Sequence, residues 1–213
     1  VTALFRRKGE IGKGAQIAGA EAGVAMATGG AEVVGNSRVT EIEVVDGRVV
    51  AVKTDNPALA RVETDQVLLC ANIWAPAISE KIGVKLPLMA FEHQYAISKP
   101  MPELAHFDVH DKEQEVTVPT MRELDSCMYY RQHWNRYGIG SYWHKPHMVK
   151  PRDVAKTAIN PWTPEDFVEP FAQAKRLMPI FEGAEFETMI NGMFAFSVDG
   201  MPIIGESNVK GFW

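Results

Sequence analysis

A phenol beside a guanidinium on one strand face can hold a carboxylate, and "MYYRQH" offers that pair as Tyr129 and Arg131. They sit in "CMYYRQHWNRYGIGSYWH", Cys127 to His144, where four of the chain's five tyrosines meet two tryptophans, two histidines and two arginines around Gly138 and Gly140. Three chemistries compete for such a cluster: a metal site, a nucleic-acid face, or the wall of a pocket for a flat cofactor and a small anion. A period of two places Tyr129 and Arg131 on one face of a regular strand, and Met128, Tyr130 and Gln132 on the other. On the returning strand Gly138 and Gly140 share a face with no side chain, where a ligand or another backbone can come close. The same pattern also fits an aromatic sheet that only packs against a helix.

The other motifs carry less. Zinc would need Cys127, His133, His144 and His147, but only His144 and His147 form a close pair, across Lys145-Pro146, so no metal is expected. A nucleic-acid surface needs a concentrated basic face, whereas 27 acids outnumber 22 bases and only Phe5 to Lys8 forms a short basic run. "GKGAQIAG" lacks the spacing of a dinucleotide-binding loop, since no glycine stands three residues after Gly14 and no strand precedes it. A glycine-flanked serine elbow is also missing.

The elements that must position these residues are mixed. "KGAQIAGAEAGVAMATGG" reads as a small-faced helix stopped at Gly29-Gly30. "RVTEIEVVDGRVVAVKTD" alternates apolar and polar residues about Asp46-Gly47, which marks a two-residue hairpin turn. "DQVLLCAN" reads as a strand buried on both faces, and "IWAPAISEKIG" as a short helix. "LMAFEHQYAIS", "CMYYRQHW" and "YGIGSYWH" then form an antiparallel β region. Thr163-Pro164-Glu165-Asp166 starts a helix that Pro170 should bend or divide. "MINGMFAFSVDGMPIIGES" reads as a strand, an Asp199-Gly200 turn and a second short strand. The class is α+β, a mixed α/β chain with an antiparallel sheet at its centre. "VLLCANIWAPAIS" is too short for a membrane span, and two cysteines make no disulfide framework, so a cytoplasmic setting is expected. The start at Val1 and the end at "KGFW" suggest a piece of something longer.

Four stretches resemble, in order and spacing, FAD-dependent amine oxidoreductases of the D-amino-acid-oxidase superfamily. They are "GNSRVTEIEVVDGRVVAVKTD", "VLLCANIWAPAISEKIGVKLPLMAFEHQYAIS", "MYYRQHWNRYGIGSYWHKP" and "NGMFAFSVDGMPIIGES". The branch most similar is that of dimethylglycine oxidase, dimethylglycine dehydrogenase and sarcosine dehydrogenase. The resemblance implies an internal fragment: residues 1–75 in a Rossmann-like FAD-binding domain, 76–195 in an antiparallel-sheet substrate domain roofing the flavin, and 196–213 returning to the first. It implies His93 of "EHQY" as the histidine that accepts or shares the amine proton at a near-neutral pKa, and Tyr129 as the tyrosine that helps hold substrate. Tyr130 replaces it if the register slips by one, and Arg131 joins the substrate side. Val39, Ala71, Asn72, Trp74, Asp199 and Gly200 would face FAD. Asn72 stands where the family usually has glycine. The implied reaction is oxidation of an N-methylated amino acid by hydride transfer to flavin, with water or tetrahydrofolate as the trap in the full-length protein. This fragment alone, lacking its N- and C-terminal parts, is expected to hold no FAD and to be inactive. The competing reading is a non-catalytic module that kept the fold and binds a small ligand or a protein. Neither nucleic acid nor membrane is expected as a partner.

Overall fold

The computed structural model describes residues 12–213; the basic run of Phe5 to Lys8 lies outside them. The chain divides into two compact units made of interleaved stretches. A hairpin unit takes Gly12–Met89, Lys150–Arg152 and Ala195–Trp213, and a sheet unit takes Ala90–Val149 and Asp153–Phe194. The first crossing therefore follows Met89 rather than residue 75. The cause is packing: Ile78 and Ile82, from the helical run after Ala71, lie against the hairpin's Ile42 and Val49.

In the hairpin unit, α1 (Gly14–Ala27) ends where expected. The N–H of Gly29 donates to Met26 O at 2.9 Å and that of Gly30 to Ala25 O at 3.1 Å, which satisfies two carbonyls the helix would leave bare. Strands β1 (Val39–Val45) and β2 (Arg48–Thr54) pair through Asp46 at φ 49° and Gly47 at φ 75°. Two positive φ angles match the right-handed twist of the strands, as the Asp-Gly pair predicts. A short β3 (Arg61–Glu63) completes the sheet. Residues 72–82 form a 3-10 turn, the helix α2 (Ala75–Ser79) and a second 3-10 turn.

"DQVLLCAN" departs from expectation. Val67 and Leu69 donate backbone N–H groups to Gly211 O and Trp213 O at 2.7 and 2.8 Å, so the segment has one parallel neighbour, residues 211–213. Leu68 turns outward and is 74% exposed. An apolar run is buried on both faces only when elements cover both, and the described residues supply one side.

The sheet unit carries strands in the order β5 (Met121–Glu123), β6 (Met128–His133), β7 (Arg136–Ser141), β4 (Leu88–Ser98), β10 (Phe186–Ser197) and β9 (Ile159–Asn160). A short β8 (Met148–Val149) also pairs with β4. Adjacent β5, β6, β7 and β4 run antiparallel. One face packs Ala96, Met128, Tyr130, Tyr137 and Ile139 against Phe167, Ala174 and Phe181. That assembly is this unit's core. Its helix begins as a 3-10 turn (Pro164–Phe167) and continues as α3 (Val168–Leu177). The Thr163 side chain makes no capping bond, and Pro170 falls in the first turn of α3, where a missing N–H breaks no helical bond. After the Asp199-Gly200 turn no second strand forms. The Asp199 carboxylate instead accepts the Met201 N–H at 3.0 Å, and Pro202 has no N–H for a ladder.

Candidate active site

Burial alternates along β6: Met128, Tyr130 and Gln132 are buried in the core, while Tyr129, Arg131 and His133 face the other way. On β4 the same alternation sends Ala96 to the core and His93 and Tyr95 to the opposite face. Strand β7 lies between them, and register brings Tyr129, Gly140 and Tyr95 into one row. Tyr129 lies across Gly140, and its hydroxyl shares a 2.7 Å hydrogen bond with His93 Nε2. Tyr95 lies across Gly138, and its hydroxyl shares a 2.9 Å bond with His133 Nε2. The space above the two glycines is thus filled by the sheet's own phenols, not left for a ligand or another backbone.

Three further rings close on the imidazole. Centroids of Tyr142, Phe194 and His144 lie 4.4, 4.5 and 5.6 Å from that of His93. His93 is 6% exposed, whereas Tyr142 and Phe194 are 45% and 40% exposed, so the cluster opens past those two rings. Burial pushes the His93 pKa down to about 4, and a charge on His144 adds to the shift. The near-neutral base expected at this position is therefore corrected to an imidazole that stays uncharged at pH 7. Burial likewise raises Tyr129 and Tyr95 well above the ordinary phenol value, so both remain protonated.

Tyr129 and His93 thus come together. Tyr130 does not: it stacks near Phe181 on the core face, where burial pushes its phenol up to about 12. A side chain sealed on the opposite side of the sheet cannot share a substrate with Tyr129, which removes it from the site. Arg131 shares the Tyr129 face, but its Nη2 donates at 2.6 Å to Glu115, a buried carboxylate of the same chain. The ion pair already engages one arm of the guanidinium. Sequence reasoning missed Tyr142 and Phe194; the period of two from His93 would have found Tyr95. His144 and His147 do not converge on a metal, since His144 Nδ1 lies 3.0 Å from Lys145 O and His147 Nε2 lies 2.8 Å from Asp166.

The expected cofactor residues all fall in the hairpin unit. Asn72 and Gly200 line a cavity of about 660 Å³, within the range of small-ligand sites, together with Met201, Ile203 and Ile204. Asn72 adopts φ 47°, the left-handed angle that glycine would take without strain and that asparagine tolerates best among other residues. The Asp199 carboxylate is turned to its own backbone, and Val39 packs on the apolar cluster of Ile42 and Val49. Ala71 and Trp74 flank Asn72 outside the cavity lining. An apolar wall with exposed isoleucines and backbone at a left-handed corner suits part of a flat dinucleotide. No pyrophosphate-gripping glycine loop stands among the described residues.

This mixed fold is similar to those of solved structures that include L-proline dehydrogenase from P. horikoshii and glycine oxidase from Geobacillus kaustophilus, with TM-scores of 0.66 and 0.60. Iminodiacetate oxidase from Chelativorans sp. BNC1 superposes with a TM-score of 0.67 at 17% identity, over 93% of this chain and 47% of that one. The family is more specific: residues 2–213 match the FAD dependent oxidoreductase (DAO) model, and the chain belongs to that family. Human mitochondrial sarcosine dehydrogenase is 26% identical over 86% of this chain and 19% of its own length. Mouse mitochondrial dimethylglycine dehydrogenase is 22% identical over 71% of this chain and 18% of its own. The chain thus spans about a fifth of these relatives.

Proposed function

We propose that the full-length protein oxidises an N-methylated amino acid such as sarcosine or dimethylglycine, with FAD as its cofactor. The observation that carries this reading is the 2.7 Å pairing of His93 with Tyr129 on a desolvated aromatic face, in a chain of the FAD dependent oxidoreductase family. Bound flavin would supply the hydride acceptor for the N-methyl carbon; Asn72, Gly200 and the segment from Met201 to Ser207 would hold part of it. The protein's own task is to present the amine unprotonated, because an ammonium has no lone pair to assist C–H cleavage.

Two features serve that task. Desolvation disfavours any charged nitrogen on this face, which favours the neutral amine as it favours the neutral imidazole. The Tyr129–His93 pair also offers one hydroxyl and one ring nitrogen whose roles exchange with the tautomer, so it can accept or donate toward the substrate nitrogen. An imidazole with a pKa near 4 does not retain a proton at pH 7. It stays neutral and orients the amine through the hydrogen bond it shares with Tyr129.

The test is steady-state kinetics of full-length His93→Gln and Tyr129→Phe on sarcosine and dimethylglycine from pH 6 to 10. Loss of the imidazole that orients the amine is expected to lower kcat/KM by about 10²-fold in His93→Gln. Tyr129→Phe should raise KM about tenfold, the value of one hydrogen bond. Wild-type kinetics in both would end this reading. A second reading, a binding module without turnover, is favoured by the Asn72 side chain in the cavity; full-length protein without flavin absorbance at saturating FAD would support it.

A further inference from the structure

Gly138 and Gly140 carry two phenols that cross strand β7 in opposite directions. Tyr129 starts on β6 and reaches His93 on β4; Tyr95 starts on β4 and reaches His133 on β6. The rings are nearly parallel, 9° apart, with centroids at 5.7 Å. A β-carbon on Gly140 would overlap Cζ of Tyr129, and one on Gly138 would overlap the Tyr95 hydroxyl and approach His133 Nε2 at 2.9 Å. Such contacts leave a ring no room to lie flat. By contrast, a β-carbon on Gly192 of neighbouring β10 would meet only His93 O, at 3.9 Å.

We infer that Gly140 and the Tyr95–His133 pair are positioning residues that hold the Tyr129 hydroxyl on His93. Of the staggered positions open to a tyrosine on β6, Tyr129 occupies the one that lies across β7 and reaches His93 on β4. Two conditions select it: no side chain beneath the ring at position 140, and a parallel ring beside it that cannot swing away. Tyr95 meets the second condition because its own hydroxyl is tied to His133. The arrangement is reciprocal, so each glycine accommodates one arm of the pair.

The inference rests on the proposed amine oxidation only for its kinetic readout. In the full-length protein, Gly140→Ala is expected to lower kcat/KM on sarcosine or dimethylglycine by about 10²-fold, the scale of a 1 Å misplacement. Its crystal structure should show Tyr129 turned off His93. Tyr95→Leu, which adds no atoms beneath the ring, should reproduce the loss in part and shift the pH profile, and Tyr95→Phe should restore some of it by returning the ring. Gly192→Ala should behave as wild type. In a Tyr129→Leu background, Gly140→Ala should cost nothing further, the non-additivity of residues that act through one another. Full additivity in that cycle, or a Gly140→Ala structure that keeps the Tyr129–His93 bond, would overturn the inference. If the wild type oxidises no N-methylamino acid, the proposed reaction fails and the crystal structures alone decide the positioning role.

Discussion

His93 is the residue on which the proposed chemistry turns, and its environment makes a prediction about stability as well as rate. Its folded pKa near 4 lies below the ordinary 6.5, so between those values the unfolded chain binds more protons than the folded one. Stability from this residue is complete above pH 6.5 and is lost as pH falls through about 4. The thermal midpoint of the wild type should therefore drop more steeply over that window than that of His93→Gln, followed by circular dichroism at each pH. Equal slopes would mean the imidazole is not desolvated in solution. Asn72 offers a second test at this scale. Asn72→Gly keeps the left-handed backbone at φ 47° and removes a side chain from the cavity wall. Tighter FAD binding by the full-length protein, measured by flavin fluorescence, is the expected result.

Strand β4 is held in place by more than its ladder. Glu92, the residue before His93, accepts from Asn160 Nδ2 at 2.5 Å and from Asn191 Nδ2 at 2.8 Å, and Asn191 also donates to Pro161 O. One carboxylate thus ties β4 to both β9 and β10 at the residue next to His93. Asn191→Ala leaves a partly buried carboxylate short of a donor, and a loss of about 1.5–3 kcal/mol is expected in urea unfolding. The β6–β7 turn shows why element boundaries resist prediction. Trp134 takes φ 54° there, a conformation that its type does not favour, and is held by bonds from its indole to Asp111 O at 2.8 Å and from its N–H to Glu115 O at 2.9 Å. Those partners are remote in sequence, so no local signal announces them.

At the scale of the molecule, each unit has its own apolar cluster, one around Ile139 and Phe181, the other around Val49 and Phe212. The cavity assigned to the cofactor belongs wholly to the second. Among the described residues its lining includes Asn72, Gly200, the segment from Met201 to Ser207 and neighbouring apolar groups, with no glycine loop for a pyrophosphate. The 213-residue chain is accordingly expected to purify colourless and to gain no flavin absorbance on addition of FAD, whereas the full-length protein should be yellow. Flavin retained by the short chain through gel filtration would contradict this.

Local patterns carried the elements whose partners lie close in sequence: the Asp46-Gly47 hairpin, the Gly29 helix stop, and the alternation that puts Tyr129 and Tyr130 on opposite faces. These follow from backbone geometry with a period of two or 3.6, which a sequence displays directly. What lay beyond reach was everything set by contact across strands. The descent of the His93 pKa, the capture of Arg131 by Glu115, the exposure of Leu68 and the filling of the glycine face by two phenols each depend on which remote segment comes alongside. Desolvation and close packing are properties of surroundings, and surroundings exist only once the chain has folded.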